Sequence, residues 1–169
     1  EGFFVLDADQ YAREALHKGT IPYQKVVKRF GHEILNQQGE IDRVQLRAKV
    51  AAHPKRLKFL ETVIHPYVIA ATKKEIATKR GRYLMDVPLL FEAKMNDLCD
   101  ATIYVHAQEQ TRKRRLIERG TMPLKVAEDL RKNTWTSNQK MMVADFIIDN
   151  SLTLENTRQQ VDFLKNYLW

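Results

Sequence analysis

The stretch Gly2-Phe3-Phe4-Val5-Leu6-Asp7-Ala8-Asp9 sets four large apolar side chains in a row and then two carboxylates two residues apart. Strands covered on both faces are apolar without alternation, so this run predicts a short buried parallel strand that a polar cluster ends. The same pattern returns three times. Tyr83-Leu84-Met85-Asp86-Val87 is closed by Pro88, Ala101 to Val105 is a third run, and Phe146-Ile147-Ile148 is ended by Asp149-Asn150.

Helical spacing fills the gaps. Val26, Val27, Phe30 and Ile34 recur at helical intervals behind Pro22, which suits a first turn. Asn36 to Gly39 reads as a turn, and Asp42 starts a further helix with Gln45 as a capping-box-like partner. Pro54 to Lys79 is long and helical, with Leu57, Leu60, Ile64, Val68 and Ile76 near one face. His65-Pro66 interrupts it and predicts a kink or two helices. Basic helices are expected over 108–119 and 123–134, another over Ser137–Ala144, and a last one carrying Leu154, Thr157, Val161, Leu164 and Leu168.

Short apolar strands alternating with longer helices predict an α/β fold with a mainly parallel sheet and helices on both faces. The first gap is too long for a simple crossover and predicts an inserted helical lobe, and the basic helices form a second excursion. In such sheets ligands gather at the C-terminal ends of strands. Asp7 and Asp9, Asp86 with Pro88 and Glu92, and Asp149 with Asn150 all fall there.

Composition narrows the function classes. The 169 residues suit one domain with an inserted lobe. Lys plus Arg is 28 against 21 Asp plus Glu, a net charge of +7 that fits nucleic acid or phosphate-rich small substrates equally well. The single Cys99 excludes an intramolecular disulfide and a Cys-based zinc cluster, and points to a reducing, cytoplasmic setting; it is given no role. No apolar run approaches the ~20 residues of a membrane span, and no signal peptide is visible. The six glycines include no GxxxxGK[ST] loop for a nucleotide's phosphates.

Several residues could carry chemistry. A carboxylate of Asp7 or Asp9 at a strand end can accept a hydroxyl proton or hold Mg²⁺; Asp9, ahead of a helical segment, reads alternatively as the N-cap of that helix. Asp86 could hold a metal, or simply mark a strand exit. Arg112, Arg115 and Arg119 share one helix face, with Arg131 and Lys132 on the next helix; they could clamp a polyphosphate or form a solvated basic face. His65 could bond a substrate phosphate or hydroxyl, or sit as a partly buried structural residue.

Taken in order, these pieces resemble the dephospho-coenzyme A kinase family over nearly the whole chain. Gly2 to Asp9 with Ala12-Arg13 is similar to its second strand and DAD motif. Phe30-Gly31 through Gly39-Glu40-Ile41-Asp42-Arg43 with Leu46-Arg47 resembles its helical-lobe signature, and His65-Pro66 its HP motif. Val87-Pro88-Leu89-Leu90-Phe91-Glu92 matches its VPLLFE motif, Arg115-Leu116 with Arg119 resembles the start of its lid, and Ala144-Asp145 with Ile148-Asp149-Asn150-Ser151 its AD…IDNS ending.

The resemblance implies a P-loop kinase fold and phosphoryl transfer from ATP to the ribose 3′-hydroxyl of dephospho-coenzyme A, the last step of coenzyme A synthesis. ATP and Mg²⁺ are the implied cofactors. Small molecules are the expected partners, with neither nucleic acid nor membrane, and the oligomeric state is left open. Asp9, with Asp7 beside it, would be the base or the carboxylate linked to Mg²⁺ through water. Arg43, Arg47, His65 and Glu92 would lie on the substrate side, and Arg115, Arg119, Arg131 and Asn150 on the ATP side. Residues 1–20, 80–107 and 145–169 would form the core, 21–79 the substrate lobe and 108–144 the lid.

The sequence departs from the family in two places. The family has a strand, Gly-rich loop and helix ahead of the DAD strand, so the expectation is a fragment short of roughly 20–30 residues. The lid's Arg-Ile-x-x-Gln falls on Leu130 and Thr134, with Arg131 one residue from the arginine position. The alternative is a non-catalytic module that binds dephospho-coenzyme A or coenzyme A; a basic nucleic-acid-binding domain ranks last.

Overall fold

A computed structural model describes residues 2–51, 53–120, 123–132 and 134–168. Its contacts divide the chain into two compact units, Glu1–Ala93 and Lys94–Trp169.

In the first unit β1 (Phe3–Asp7) runs directly into α1 (Ala8–Ala15). There follow α2 (Ile21–Phe30), a 3₁₀ turn at His32–Ile34, α3 (Arg43–Ala51), α4 (Pro54–Thr78) and β2 (Arg82–Asp86). β1 and β2 pair in parallel, with Phe3 opposite Arg82 and Asp7 opposite Asp86. Local chemistry sets the helix ends. The Thr20 hydroxyl accepts the N–H of Tyr23 at 3.1 Å to open α2. Gly31 closes it at φ +84°, a backbone state that favours glycine. The Asp42 carboxylate accepts the N–H groups of Val44 (2.8 Å) and Gln45 (3.2 Å) and starts α3 as expected, with the Gln45 amide meeting that carboxylate rather than the backbone. Asn36–Gly39 is the expected turn, closed by the Gly39 N–H on the Asn36 carbonyl.

The core of this unit is Val26, Phe30, Ile34, Ile41, Leu46 and Val50, flanked by Leu57 and Leu60 of α4. The helical stripe read from Val26, Phe30 and Ile34 is therefore the buried face of α2 and its following turn. Burying each such side chain is worth ~1.5–3 kcal/mol.

In the second unit β3 (Ile103–His106) is followed by α5 (Glu109–Arg119), α6 (Leu124–Arg131), α7 (Ser137–Val143), β4 (Phe146–Asp149) and α8 (Leu154–Leu168). β3 and β4 pair in parallel, Ile103 opposite Phe146 and His106 opposite Asp149. Thr136 and Gln139 form a reciprocal capping box at the start of α7.

Four expectations are corrected. All four strands exist and their pairs are parallel, but they are not buried throughout: Leu6 and Ile148 are, whereas Val5 is 66 % and Val105 55 % exposed. An apolar run says that a face prefers cover, not that cover is present. β3 begins at Ile103 instead of Ala101, because the Thr102 amide is taken by the Asp145 carboxylate at 2.8 Å. Of the kink or two helices expected at His65-Pro66, two separate helices are not present: α4 is one helix of 25 residues with Pro66 inside it. In α8 the stripe is mostly solvent-facing; among the described residues Leu164 is its buried member, while Leu154 and Val161 are exposed. The 123–134 helix is observed as Leu124–Arg131, and Asn133 within that expected span lies outside the described residues, as do Glu1 and Trp169 at the ends of the expected core.

Candidate active site

The two aspartates of Asp7-Ala8-Asp9 do different things. Because the helix begins at Ala8, Asp7 and not the expected Asp9 is its N-cap: its Oδ1 accepts the N–H groups of Asp9 (2.8 Å) and Gln10 (3.1 Å). Its other oxygen faces Arg13, with Nη2 at 3.6 Å. Asp9 is carried into the first turn of the helix, where it is exposed. A carboxylate there benefits from the positive end of the helix dipole. Asp7 is thus occupied with structure, and Asp9 is presented to solvent at the C-terminal end of β1.

His65 lies half-buried in α4. Burial holds its imidazole below the ordinary value, with Glu61 and Glu92 pulling upward and Lys58 downward. At neutral pH it is an uncharged ring, able to donate from one nitrogen and accept at the other. The structure therefore brings His65 and Glu92 within electrostatic reach of each other. Glu92 follows β2 in the turns of Val87 to Lys94, and its Oε2 is shielded from solvent. Arg43 is exposed at the start of α3, and Arg47, one turn later, is half-buried.

In the second unit the strand ends are fastened by polar side chains. Thr102 gives its N–H and hydroxyl to Asp145 Oδ2 at 2.8 and 2.7 Å, and the Asp145 N–H returns a bond to that hydroxyl at 3.1 Å. Those donors hold the Asp145 carboxyl below its usual range. Asp149 accepts the N–H and hydroxyl of Ser151, which lower it likewise. Ser151 in turn accepts the Gln108 N–H at 2.9 Å. The Asn150 N–H donates to the His106 carbonyl at 2.7 Å, and Arg115 Nη1 donates to the Asn150 carbonyl at 2.8 Å. Arg115 and Asn150, expected on one side, do meet. Arg131 lies 3.9 Å from Glu109, which also pairs with Lys113 at 3.2 Å. Arg119 is exposed at the end of α5. The open groove beside β4 and α8, lined by Ile147, Leu152, Gln160 and Phe163 among others, holds none of these arginines.

A family model described as dephospho-CoA kinase matches residues 1–156. The chain belongs to that family. A dephospho-CoA kinase of Carboxydothermus hydrogenoformans is 36 % identical over 99 % of this chain and 84 % of its own length. One from Oceanobacillus iheyensis is 32 % identical over 96 % and 83 %. Among solved structures, one from Thermus thermophilus aligns with a TM-score of 0.77 at 26 % identity, over 99 % of this chain and 86 % of that one. The dephospho-CoA kinase of Campylobacter jejuni aligns with a TM-score of 0.65 at 22 % identity, over 98 % and 85 %, and supports the fold. The chain has the P-loop kinase α/β fold and is a transferase of the coenzyme A biosynthesis class. Among the described residues no helix is long and apolar enough to cross a membrane.

The AD…IDNS residues Asp145, Asp149 and Ser151 are fasteners of the second unit. Arg13, which the sequence places beside the DAD motif without a role, pairs with Asp7 and bonds the Asp9 carbonyl. Its signal was an arginine four residues after Asp9, one turn along the same helix.

Proposed function

We propose that the protein transfers the γ-phosphoryl group of ATP to the ribose 3′-hydroxyl of dephospho-CoA, with Asp9 receiving the hydroxyl proton. The observation that carries this reading is the division of labour at the end of β1: Asp7 caps α1, and Asp9 presents an exposed carboxylate beside it. A carboxylate so placed can orient the hydroxyl and take its proton as the bond to phosphorus forms.

On this reading Arg43 and Arg47, which share a helix face, neutralise phosphates of the coenzyme, and the uncharged His65 with Glu92 bonds its hydroxyl groups. Arg115, Arg119 and Arg131 face the ATP phosphates, and the Asn150 loop the adenine. Residues 1–20, 80–107 and 145–169 serve as core, 21–79 as substrate lobe and 108–144 as lid. The protein works in the cytoplasm on small molecules.

Magnesium fits in one mode. Among the described residues no group of three or more His, Cys, Asp or Glu could hold a metal. Mg²⁺ is usually held by one or two carboxylates with substrate phosphates and water, and Asp9 supplies one such carboxylate. When bound, the ion would offset charge on the phosphates.

The test is a 3′-hydroxyl kinase assay with the Asp9→Asn variant of the full-length protein. Loss of proton acceptance predicts a fall in kcat of about 10²–10⁴-fold, with calorimetric affinity for dephospho-CoA retained. Near-normal turnover in that variant removes Asp9 from the mechanism, and binding of coenzyme without any ATP turnover in the parent protein would mark a binding module instead.

A further inference from the structure

We propose that Arg13 is a positioning residue for phosphoryl transfer, holding the first turn of α1 so that Asp7 stays a cap and Asp9 stays available. The inference rests on the reading of Asp9 given above.

One guanidinium touches both aspartates in different ways. Arg13 Nη2 lies 3.6 Å from Asp7 Oδ2, the carboxylate oxygen that the capping bonds leave over. Arg13 Nε donates to the backbone carbonyl of Asp9 at 3.0 Å. The first contact neutralises the cap, and the second fixes the backbone from which Asp9 projects. Both need the flat, forked guanidinium; a lysine ammonium is a single point charge on a flexible stem and cannot serve both at once.

Stability does not account for this arrangement. The side chains of Arg13 and Asp7 are 51 % and 43 % exposed, and an ion pair so open to water contributes little to folding. Selectivity does account for it. Asp7 is the register partner of Asp86, so Asp7, Asp86 and Asp9 gather at one strand end. An unrestrained Asp7 would compete with Asp9 for the hydroxyl proton or for a cation. With Arg13 against it, Asp9 is the acceptor that remains on this turn.

Arg13→Gln, Arg13→Lys and Asp7→Asn test the idea, with Asp9→Asn run alongside. Asparagine caps as well as aspartate, so Asp7→Asn removes the ion pair and keeps the helix start. Arg13→Gln should lower kcat by about 10- to 100-fold, the scale of a small misplacement of a reacting group. KM for both substrates should stay within about two-fold, and the melting temperature should be nearly unchanged. Arg13→Lys should recover part of the loss. In the Arg13→Gln background Asp7→Asn should recover part of the lost kcat, because it keeps the cap and removes the competing carboxylate, so the two substitutions are coupled. A rise in KM with kcat intact would make Arg13 a substrate-binding residue and overturn the proposal, as would additive effects or a kcat loss that merely follows unfolding. If Asp9→Asn collapses turnover while Arg13→Gln does not, the Asp9 reading stands and the Arg13 proposal fails. If Asp9→Asn is active, both fail.

Discussion

The two units of the chain are held together by different physics. In residues 2–93 the stabilising element is an apolar cluster, Val26, Phe30, Ile34, Ile41, Leu46 and Val50, gathered from α2, α3 and the turn between them. In residues 94–168 the buried set includes Thr102 and Ser151 beside Met95, Ile148 and Leu164, and the strand ends are joined by carboxylate bonds: Asp145 to Thr102, and Asp149 to Ser151. Apolar burial is non-directional and indifferent to charge. Carboxylate bonds are directional and are strongest while the carboxylates are ionised.

Truncation inside the apolar cluster should have the largest effect. Phe30→Ala removes a buried ring that packs edge-on against Phe59, with centroids 5.9 Å apart, and should cost about 3–5 kcal/mol, read from urea unfolding. If its cost falls to that of a surface substitution, the cluster is not what holds the first unit. Thr102→Val should come next. It keeps the shape but removes the hydroxyl that donates to Asp145 Oδ2 and accepts the Asp145 N–H, so the urea midpoint should fall. An unchanged midpoint would show that the backbone bond alone secures the strand end.

Acid should then separate the units, because each loses stability over its own pH range. Asp145 and Asp149 sit below their ordinary 3.8 in the folded state. Their stabilisation is complete above 3.8 and is lost as pH falls through the lowered folded values. His65 also sits below its ordinary 6.5, so in the first unit the unfolded chain takes up the proton first, and stability declines as pH falls from 6.5 toward the lowered folded value. Melts across this range should show a shallow decline from mildly acidic pH that His65→Gln abolishes, and a later one that Thr102→Val diminishes. A single transition insensitive to both substitutions would erase the distinction.

Much of this architecture was legible in the residues. Helix α4 was expected over Pro54–Lys79 and runs Pro54–Thr78, and the Asp42 start of α3 was readable because capping is a local matter of one side chain and two amides. The division between Asp7 and Asp9 was not. Two-residue spacing puts both on one side of an extended strand, and only the switch to helix at Ala8 turns one into a cap and the other into an exposed acid. The exposure of Val5 and Val105 was equally hidden, since hydrophobicity records what a side chain prefers and not what lies over it. Arg115 and Asn150 are 35 residues apart, and nothing local joins them; their meeting depends on β3 and β4 ending side by side.

Pro66 gives α4 a property that its length conceals. Proline has no amide hydrogen, so the carbonyl of Thr62 lacks the donor that every other turn of a helix supplies. Hydrogen exchange in such a helix is governed by local opening, and opening starts where a bond is already missing. Local opening of the 25 residues should therefore begin at this missing bond, next to His65, and amide exchange should be fastest there within the helix interior.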